Sequence, residues 1–286
     1  MSMNVFINGE IQSVESSSLK LTNRGYNYGD GLFETLRVIN SKIMFWEAHY
    51  FRLMSSMRIL RMKIPMDFSP EYLEEKIVEL VKANHLEKAS VRVKINIHRN
   101  EGGYYTPEDN SVGYVISTKE LETAFFTLKE EPYEVELFKD HYVQSGMLST
   151  IKSNNKLVNI LAGVYAKEND FDNCFLINEK KSVLEVTNGN IFVVKGEEIK
   201  TPPLSDGCLN GIIRKQLIEI LGKSEDYTLK EESISPFELQ KADEIFYTNA
   251  IQGVQSITKY RKKTYANTVA KSLVGKLNAK ARLVDV

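Results

Sequence analysis

Cysteine is scarce in this sequence, and histidine nearly so. The two cysteines among 286 residues, Cys174 and Cys208, are far apart and form no C-x-x-C spacing. That argues against a disulfide framework or a thiolate zinc site and suits a reducing cytosol. The four histidines, His49, His85, His98 and His141, are scattered. None is paired at metal-ligand spacing, so no metal site is expected. No apolar run approaches the ~18 residues of a membrane span. The opening MSMNVFING lacks the basic-then-apolar pattern of a signal peptide, so the expected location is cytoplasmic. The formal net charge is −1, so there is no basic excess to draw nucleic acid or an anionic membrane. G-x-S-x-G and a phosphate loop ending in Gly-Lys-Ser/Thr are both missing, as are internal repeats and low-complexity tracts.

What remains is an ordinary globular composition, 42% hydrophobic and 26% charged, in a chain long enough for a substantial core and about two domains. The pattern is mixed α/β. Residues 3–7 read as a strand ending in an Asn8-Gly9 turn, and 32–38 as another. Apolar spacing predicts helices over 47–60 and over 70–86, the latter capped by Ser69 with Pro70 at its first position. Residues 90–98 alternate cleanly, with Val91, Val93, Ile95 and Ile97 on one face and Arg92, Lys94, Asn96 and His98 on the other. That polar face is either solvated or an anion-binding wall. The pattern weakens in STKELETA, which sets the expected boundaries: a small domain over 1–118, a linker over 119–124 and a larger domain over 125–286. In the second part, helices are expected over 155–167, 211–221 (capped by Asn210), 237–241 and 266–281. Strands are expected over 174–178, 182–186, 190–194, 199–201, 244–248 and 253–257.

Four features could carry chemistry. Lys152 stands at the start of an apolar helical pattern. An exposed lysine there is simply solvated; a desolvated one is a nucleophilic amine able to form a Schiff base. The helix start LNGIIR offers unpaired backbone N–H groups and a positive dipole end, which suit phosphate. Glu185 interrupts an apolar strand, and on the residues alone an edge-strand carboxylate facing water is the simpler reading. Arg52 is either a surface arginine or a phosphate clamp. Lysine, carboxylate, arginine and helix start are also the fittings that a pyridoxal 5'-phosphate enzyme requires.

Taken in order, the motifs resemble the class IV aminotransferase family, the pyridoxal phosphate enzymes of fold type IV. They are NRGYNYGDGLFETLRV at 23–38, HYFRL at 49–53, IKSNNKL at 151–157, LEVTNGNIF at 184–192, LNGIIR at 209–214 and EIFYTNAIQGVQSI at 244–257. The resemblance implies a small N-terminal α/β domain, a larger C-terminal domain with a β-barrel-like sheet, and a homodimer with active sites at the interface. It implies pyridoxal 5'-phosphate as cofactor, with Lys152 as the Schiff-base lysine and Glu185 as the pyridine-nitrogen carboxylate. Arg52, Asn190, Asn249 and the backbone amides of Ile212 and Ile213 are implied cofactor contacts, and Tyr28 and Phe33 line the pocket.

Within the family, GDGLFETLR puts Thr35 where 4-amino-4-deoxychorismate lyase carries a threonine near the cofactor. HRNEGGYYTP resembles that lyase's Arg-x-x-Gly-Gly segment, with Tyr104 in place of a further arginine. The implied substrate carboxylates are then left to Arg92, Lys94 and Arg99. The lyase is the leading expectation, with Lys152 and Thr35 as catalytic residues. Transamination of D-amino or branched-chain amino acids is the alternative, and a non-catalytic cofactor-binding protein is a third reading that retention of Lys152 and Glu185 opposes.

Overall fold

The computed structural model describes residues 3–283, and the chain forms two compact units. The first comprises the described residues up to Phe125 together with Ile151–Asn155. The second comprises Phe126–Thr150 and the described residues from Lys156 onward. This differs from the boundaries read in the sequence. The polar stretch taken for a linker begins inside a strand, and residues 151–155 return to the first unit, carrying Lys152 with them.

The first unit is built on a six-stranded antiparallel sheet of β1 (Asn4–Ile7), β2 (Glu10–Ser13), β3 (Gly31–Ile39), β4 (Lys42–Ile43), β5 (Ser90–Arg99) and β6 (Val112–Leu121), in the order β2-β1-β6-β5-β3-β4. Asn8 and Gly9, at φ of 48° and 106°, close the β1–β2 hairpin, as the Asn-Gly pair predicts. Helices α1 (Arg24–Tyr28), α2 (Trp46–Ile59) and α3 (Pro70–Ala83) complete the unit. Ser69 caps α3, accepting from the Tyr72 N–H at 3.1 Å. Leu53, Met54 and Met57 of α2 and Leu73, Ile77, Leu80 and Val81 of α3 pack on Val91, Val93, Ile95 and Ile97 of β5. Each such side chain contributes about 1.5–3 kcal/mol on burial. The alternation of β5 is therefore a buried face and a half-buried polar one.

The second unit carries an eight-stranded sheet of β7 (Val135–Leu137), β8 (Asn173–Ile177), β9 (Val183–Val186), β10 (Gly189–Lys195), β11 (Glu198–Thr201), β12 (Thr228–Glu231), β13 (Glu244–Asn249) and β14 (Gly253–Ile257). The pairs β7–β8 and β11–β12 are parallel and the others antiparallel. β10 is the branch point: its start pairs with β9 and its end with β11, while β13 pairs along Asn190–Val194. A small ribbon of β15 (Lys259–Tyr260) and β16 (Lys263–Thr264) follows. The helices are α4 (Met147–Thr150), α5 (Leu157–Glu168), α6 (Ile212–Leu221), α7 (Pro236–Lys241) and α8 (Thr268–Leu283). Gly211, not Asn210, is the N-cap of α6, and no side chain caps it. Among the described residues no helix is long and apolar enough to cross a membrane.

Candidate active site

In the first unit the site residues gather on the two faces of β3. Side chains alternate along a strand, so Leu32, Glu34 and Leu36 face the α2 side, while Phe33, Thr35 and Arg37 face the other. Glu34 is 2% exposed and received no attention in the sequence. Its carboxylate accepts from Arg52 Nε at 2.7 Å and from an Arg52 terminal nitrogen at 2.6 Å, and it lies 2.8 Å from His49 Nδ1. Burial alone would raise the Glu34 pKa. The Arg52 charge and the hydrogen bonds from His49 and Arg52 outweigh it and hold the pKa down to about 2. Burial lowers the His49 pKa in spite of Glu34, and the charges of Arg52 and Lys152 lower it further. A neutral His49 donates from Nδ1 to an ionised Glu34. The signal that could have found this triad is a carboxylate at inward parity between Leu32 and Leu36, opposite His49 and Arg52, which are three residues apart on a helix.

The opposite face of β3 meets the polar face of β5. The register sets Phe33 against Asn96, Thr35 against Lys94 and Arg37 against Arg92. Thr35 is buried, while Arg92 and Lys94 are half-buried. Lys94 Nζ lies 4.9 Å from the centre of the Phe33 ring, and Lys152 Nζ lies 4.6 Å from the same ring. Burial and the neighbouring Arg92 both lower the Lys94 pKa. Burial lowers the His98 pKa as well, which disfavours a further cation on this wall.

Lys152 is placed by a backbone pairing. Phe33 N–H donates to the Lys152 carbonyl at 2.9 Å, Leu32 bridges Ser153, and Asn154 N–H donates to the Gly31 carbonyl at 3.0 Å. The two asparagines behind the lysine explain the glycines of the NYGDG segment. A Cβ on Gly31 would stand 2.5 Å from Asn154 Nδ2, and one on Gly29, at φ 64°, would stand 2.7 Å from Asn155 Oδ1.

One expected substrate residue, Arg99, is engaged elsewhere. Arg99 shares the parity of Ile97, not that of Lys94. Its guanidinium binds Asp30 at 2.9 Å, Asn110 at 2.5 Å and the Leu60 carbonyl at 2.8 Å. It anchors loops and is not available to a substrate carboxylate. Tyr104 is 83% exposed, and its carbonyl accepts from Arg24 at 2.7 Å. Tyr28 is 40% exposed, with the Arg24 guanidinium 5.0 Å from its ring.

In the second unit Glu185 lies on β9, between β8 and β10. It is 7% exposed, so the water-facing edge reading is overturned. One of its oxygens accepts from the Leu209 N–H at 3.0 Å. Asn190, directly across from it on β10, donates to the Leu209 carbonyl at 2.8 Å. The turn into α6 is thus clasped on both sides. A Cβ at Gly211 would come within 2.0 Å of Asn190 Oδ1, so any larger residue there would have to displace that buried side chain. The next residues, Ile212 and Ile213, open the helix with N–H groups that have no intrahelical acceptor. Asn249 braces its own turn: Oδ1 accepts from the Ile251 and Gln252 N–H groups at 3.0 and 2.8 Å, and Nδ2 donates to Gln252 at 2.8 Å.

Each unit by itself carries groups of the kind that pyridoxal phosphate calls for: a half-buried lysine beside an aromatic ring and an arginine fixed by a buried carboxylate in the first, and a buried carboxylate and an uncapped helix start in the second. The uncapped start, with a glycine at its N-cap, offers the backbone donors that suit a phosphate.

The amino-transferase class IV family matches residues 31–260. The D-alanine aminotransferase of Staphylococcus epidermidis is 30% identical over 261 residues, 89% of this chain and 88% of that protein. The aminodeoxychorismate lyase of Vibrio harveyi is 25% identical over 250 residues, 87% and 89% of the two chains. The solved structure of the branched-chain aminotransferase of Thermoproteus uzoniensis with norvaline superposes with a TM-score of 0.85 at 25% identity, covering 99% of this chain and 95% of that one. The two-unit α/β architecture is that of fold type IV. The chain belongs to the class IV aminotransferase family of pyridoxal-phosphate-dependent enzymes.

Proposed function

We propose that this enzyme is a 4-amino-4-deoxychorismate lyase, releasing pyruvate and 4-aminobenzoate. The observation that carries this reading is the pairing of Thr35 with Lys94 across β3 and β5, on the face where Lys94 and Lys152 flank Phe33. The substrate bears two carboxylates and an amine. Among the described residues no carboxylate pairs with Lys94, a half-buried cation, and a cation so placed calls for an anion from outside the chain. Lys94 and Arg92 bind the substrate carboxylates, and Phe33 supports the ring. Tyr104 and Tyr28 bound the pocket.

The bound cofactor supplies an electron sink for the bond-breaking steps. Lys152 provides the amine that links to the cofactor. The Lys152 amine would take the proton from the substrate's amine-bearing carbon, with the Thr35 hydroxyl assisting that transfer. Glu185 keeps the pyridine nitrogen protonated and is itself oriented by the Leu209 N–H. Arg52, Asn190 and the Ile212 and Ile213 amides would hold the cofactor, while Asn249 is taken up by its own turn, and Glu34 fixes the Arg52 guanidinium in one orientation.

The chain acts as a homodimer on small amino substrates in the cytoplasm. Helix α5 supports a second copy, because Leu157, Ile160, Leu161 and Val164 form a helical stripe that is 43–73% exposed.

The deciding experiment mixes the purified holoenzyme with 4-amino-4-deoxychorismate and assays 4-aminobenzoate. Its accumulation, with the cofactor spectrum recovering unchanged, supports the lyase. An inert substrate, with D-alanine, D-glutamate or L-leucine converting the cofactor to its amine form, makes the protein a transaminase. The 30% identity to the Staphylococcus epidermidis enzyme favours that second reading.

A further inference from the structure

A row of side chains runs straight across the sheet of the second unit. The registers pair Leu176 with Glu185, Glu185 with Asn190, Asn190 with Thr248 and Thr248 with Val254, from β8 to β14. Residues directly opposed on neighbouring strands project from the same face. Glu185, Asn190 and Thr248 are therefore three consecutive polar side chains in one apolar layer, and Thr248 is the most central in the sequence of strands β10, β13 and β14.

The first two have evident partners, the N–H and the carbonyl of Leu209. The third does not. Thr248 is 2% exposed, and its hydroxyl has no hydrogen-bond partner among the described residues. Buried hydroxyls are rarely left unpaired, because the desolvation cost is not recovered. Valine has the same shape and is at home in a strand, so a threonine at this position is explained by something that its hydroxyl binds.

The neighbourhood points to an anion. Asn190, opposite Thr248, is in contact range of Gly211, and α6 packs on β13. The row thus leads to the start of α6, where the Ile212 and Ile213 N–H groups stand without a side-chain cap. A helix start without a side-chain cap and a buried hydroxyl in the same row without a hydrogen-bond partner among the described residues suit an anion with several acceptor oxygens.

We propose that the Thr248 hydroxyl is a phosphate ligand, donating to a phosphate oxygen of the cofactor beside the first amides of α6. This rests on the cofactor reading given above. Thr248 was not singled out in the sequence, where attention fell on its neighbour Asn249. Asn249 lies at the opposite parity of β13 and is occupied within its own turn.

The test is titration of the apoprotein with pyridoxal 5'-phosphate and, separately, with pyridoxal, which lacks the phosphate. Thr248→Val should raise the Kd for pyridoxal 5'-phosphate about tenfold, as expected for one hydrogen bond to a charged group, and leave that for pyridoxal unchanged. Thr248→Ser should keep near wild-type affinity for both. Thermal unfolding of the Thr248→Val apoprotein should occur at or above the wild-type temperature, since the variant removes an unpaired hydroxyl. Should that variant not fold, Thr248→Ala carries the same titration. Equal pyridoxal 5'-phosphate affinity in wild type and Thr248→Val overturns the assignment, and so does an equal loss toward both ligands, which would mark a structural role. Failure of the wild-type protein to bind either ligand overturns the cofactor reading itself, and this assignment with it.

Discussion

Glu34 clasps Arg52 with both carboxylate oxygens, at 2.7 and 2.6 Å, from a position that is 2% exposed. A bidentate pair fixes the plane of the guanidinium as well as its position. Removing one partner of such a buried pair leaves the other charge uncompensated, at a cost of about 3–5 kcal/mol. Glu34→Gln should therefore lower the unfolding temperature markedly and weaken cofactor binding through Arg52. Unchanged denaturant unfolding would show that the pair contributes nothing to the fold.

The same pair sets an acid limit. The Glu34 pKa is depressed to about 2 in the folded chain, so its stabilisation is complete above the ordinary glutamate range and is lost as pH falls from there toward 2. A depression of that size corresponds to about 3 kcal/mol. His49 acts in the same direction. Its pKa is lowered by burial, so the unfolded chain binds the proton first, and stability declines as pH drops below the ordinary imidazole value. Unfolding measured from pH 8 to pH 3 should show a monotonic loss toward acid, and Glu34→Gln should flatten its lower portion.

In its proposed role, Lys94 would set an alkaline limit on substrate binding. Its pKa is lowered by burial and by Arg92, so its charge disappears at a lower pH than that of an exposed lysine. Anionic substrate should bind more weakly as pH rises through that depressed value. Lys94→Met should raise KM for 4-amino-4-deoxychorismate by about tenfold, the worth of one charge-assisted contact, with a smaller effect on kcat. An unaltered KM would move the carboxylate contact to Arg92 alone.

Lys152→Ala should abolish turnover and the visible cofactor band together. The fold should survive, because the segment is held by backbone hydrogen bonds from Phe33 and to Gly31 that a side-chain change leaves in place. Circular dichroism should match the wild type. Residual turnover would remove Lys152 from its proposed role.

The legible parts of the sequence were those in which one residue type answers to one environment. The alternation of 90–98 gave β5 and its two faces, and Ser69-Pro70 gave the start of α3. Polar strand ends were hidden. Near its end at Leu121, β6 passes through Lys119 and Glu120, both exposed, and such residues look like a linker because the sheet asks nothing of them there. Buried charge was hidden for the opposite reason. Glu185 and Glu34 are tolerated only because partners distant in sequence meet them, Leu209 for one and Arg52 and His49 for the other. Arg99 was misjudged by proximity to Lys94, although parity along the strand already set it on the other face.

The return of Ile151–Asn155 to the edge of β3 has a consequence for how the protein can be made and divided. A ribosome that has released only the first 125 residues has delivered a sheet whose Gly31–Phe33 margin still lacks its partner. The first unit is complete only after a further 30 residues, all but five of them belonging to the second unit, have emerged. No single cut in the gene can separate the two units while leaving Lys152 with the strand that holds it. Recombination between relatives would have to exchange two separate stretches to keep lysine and strand matched.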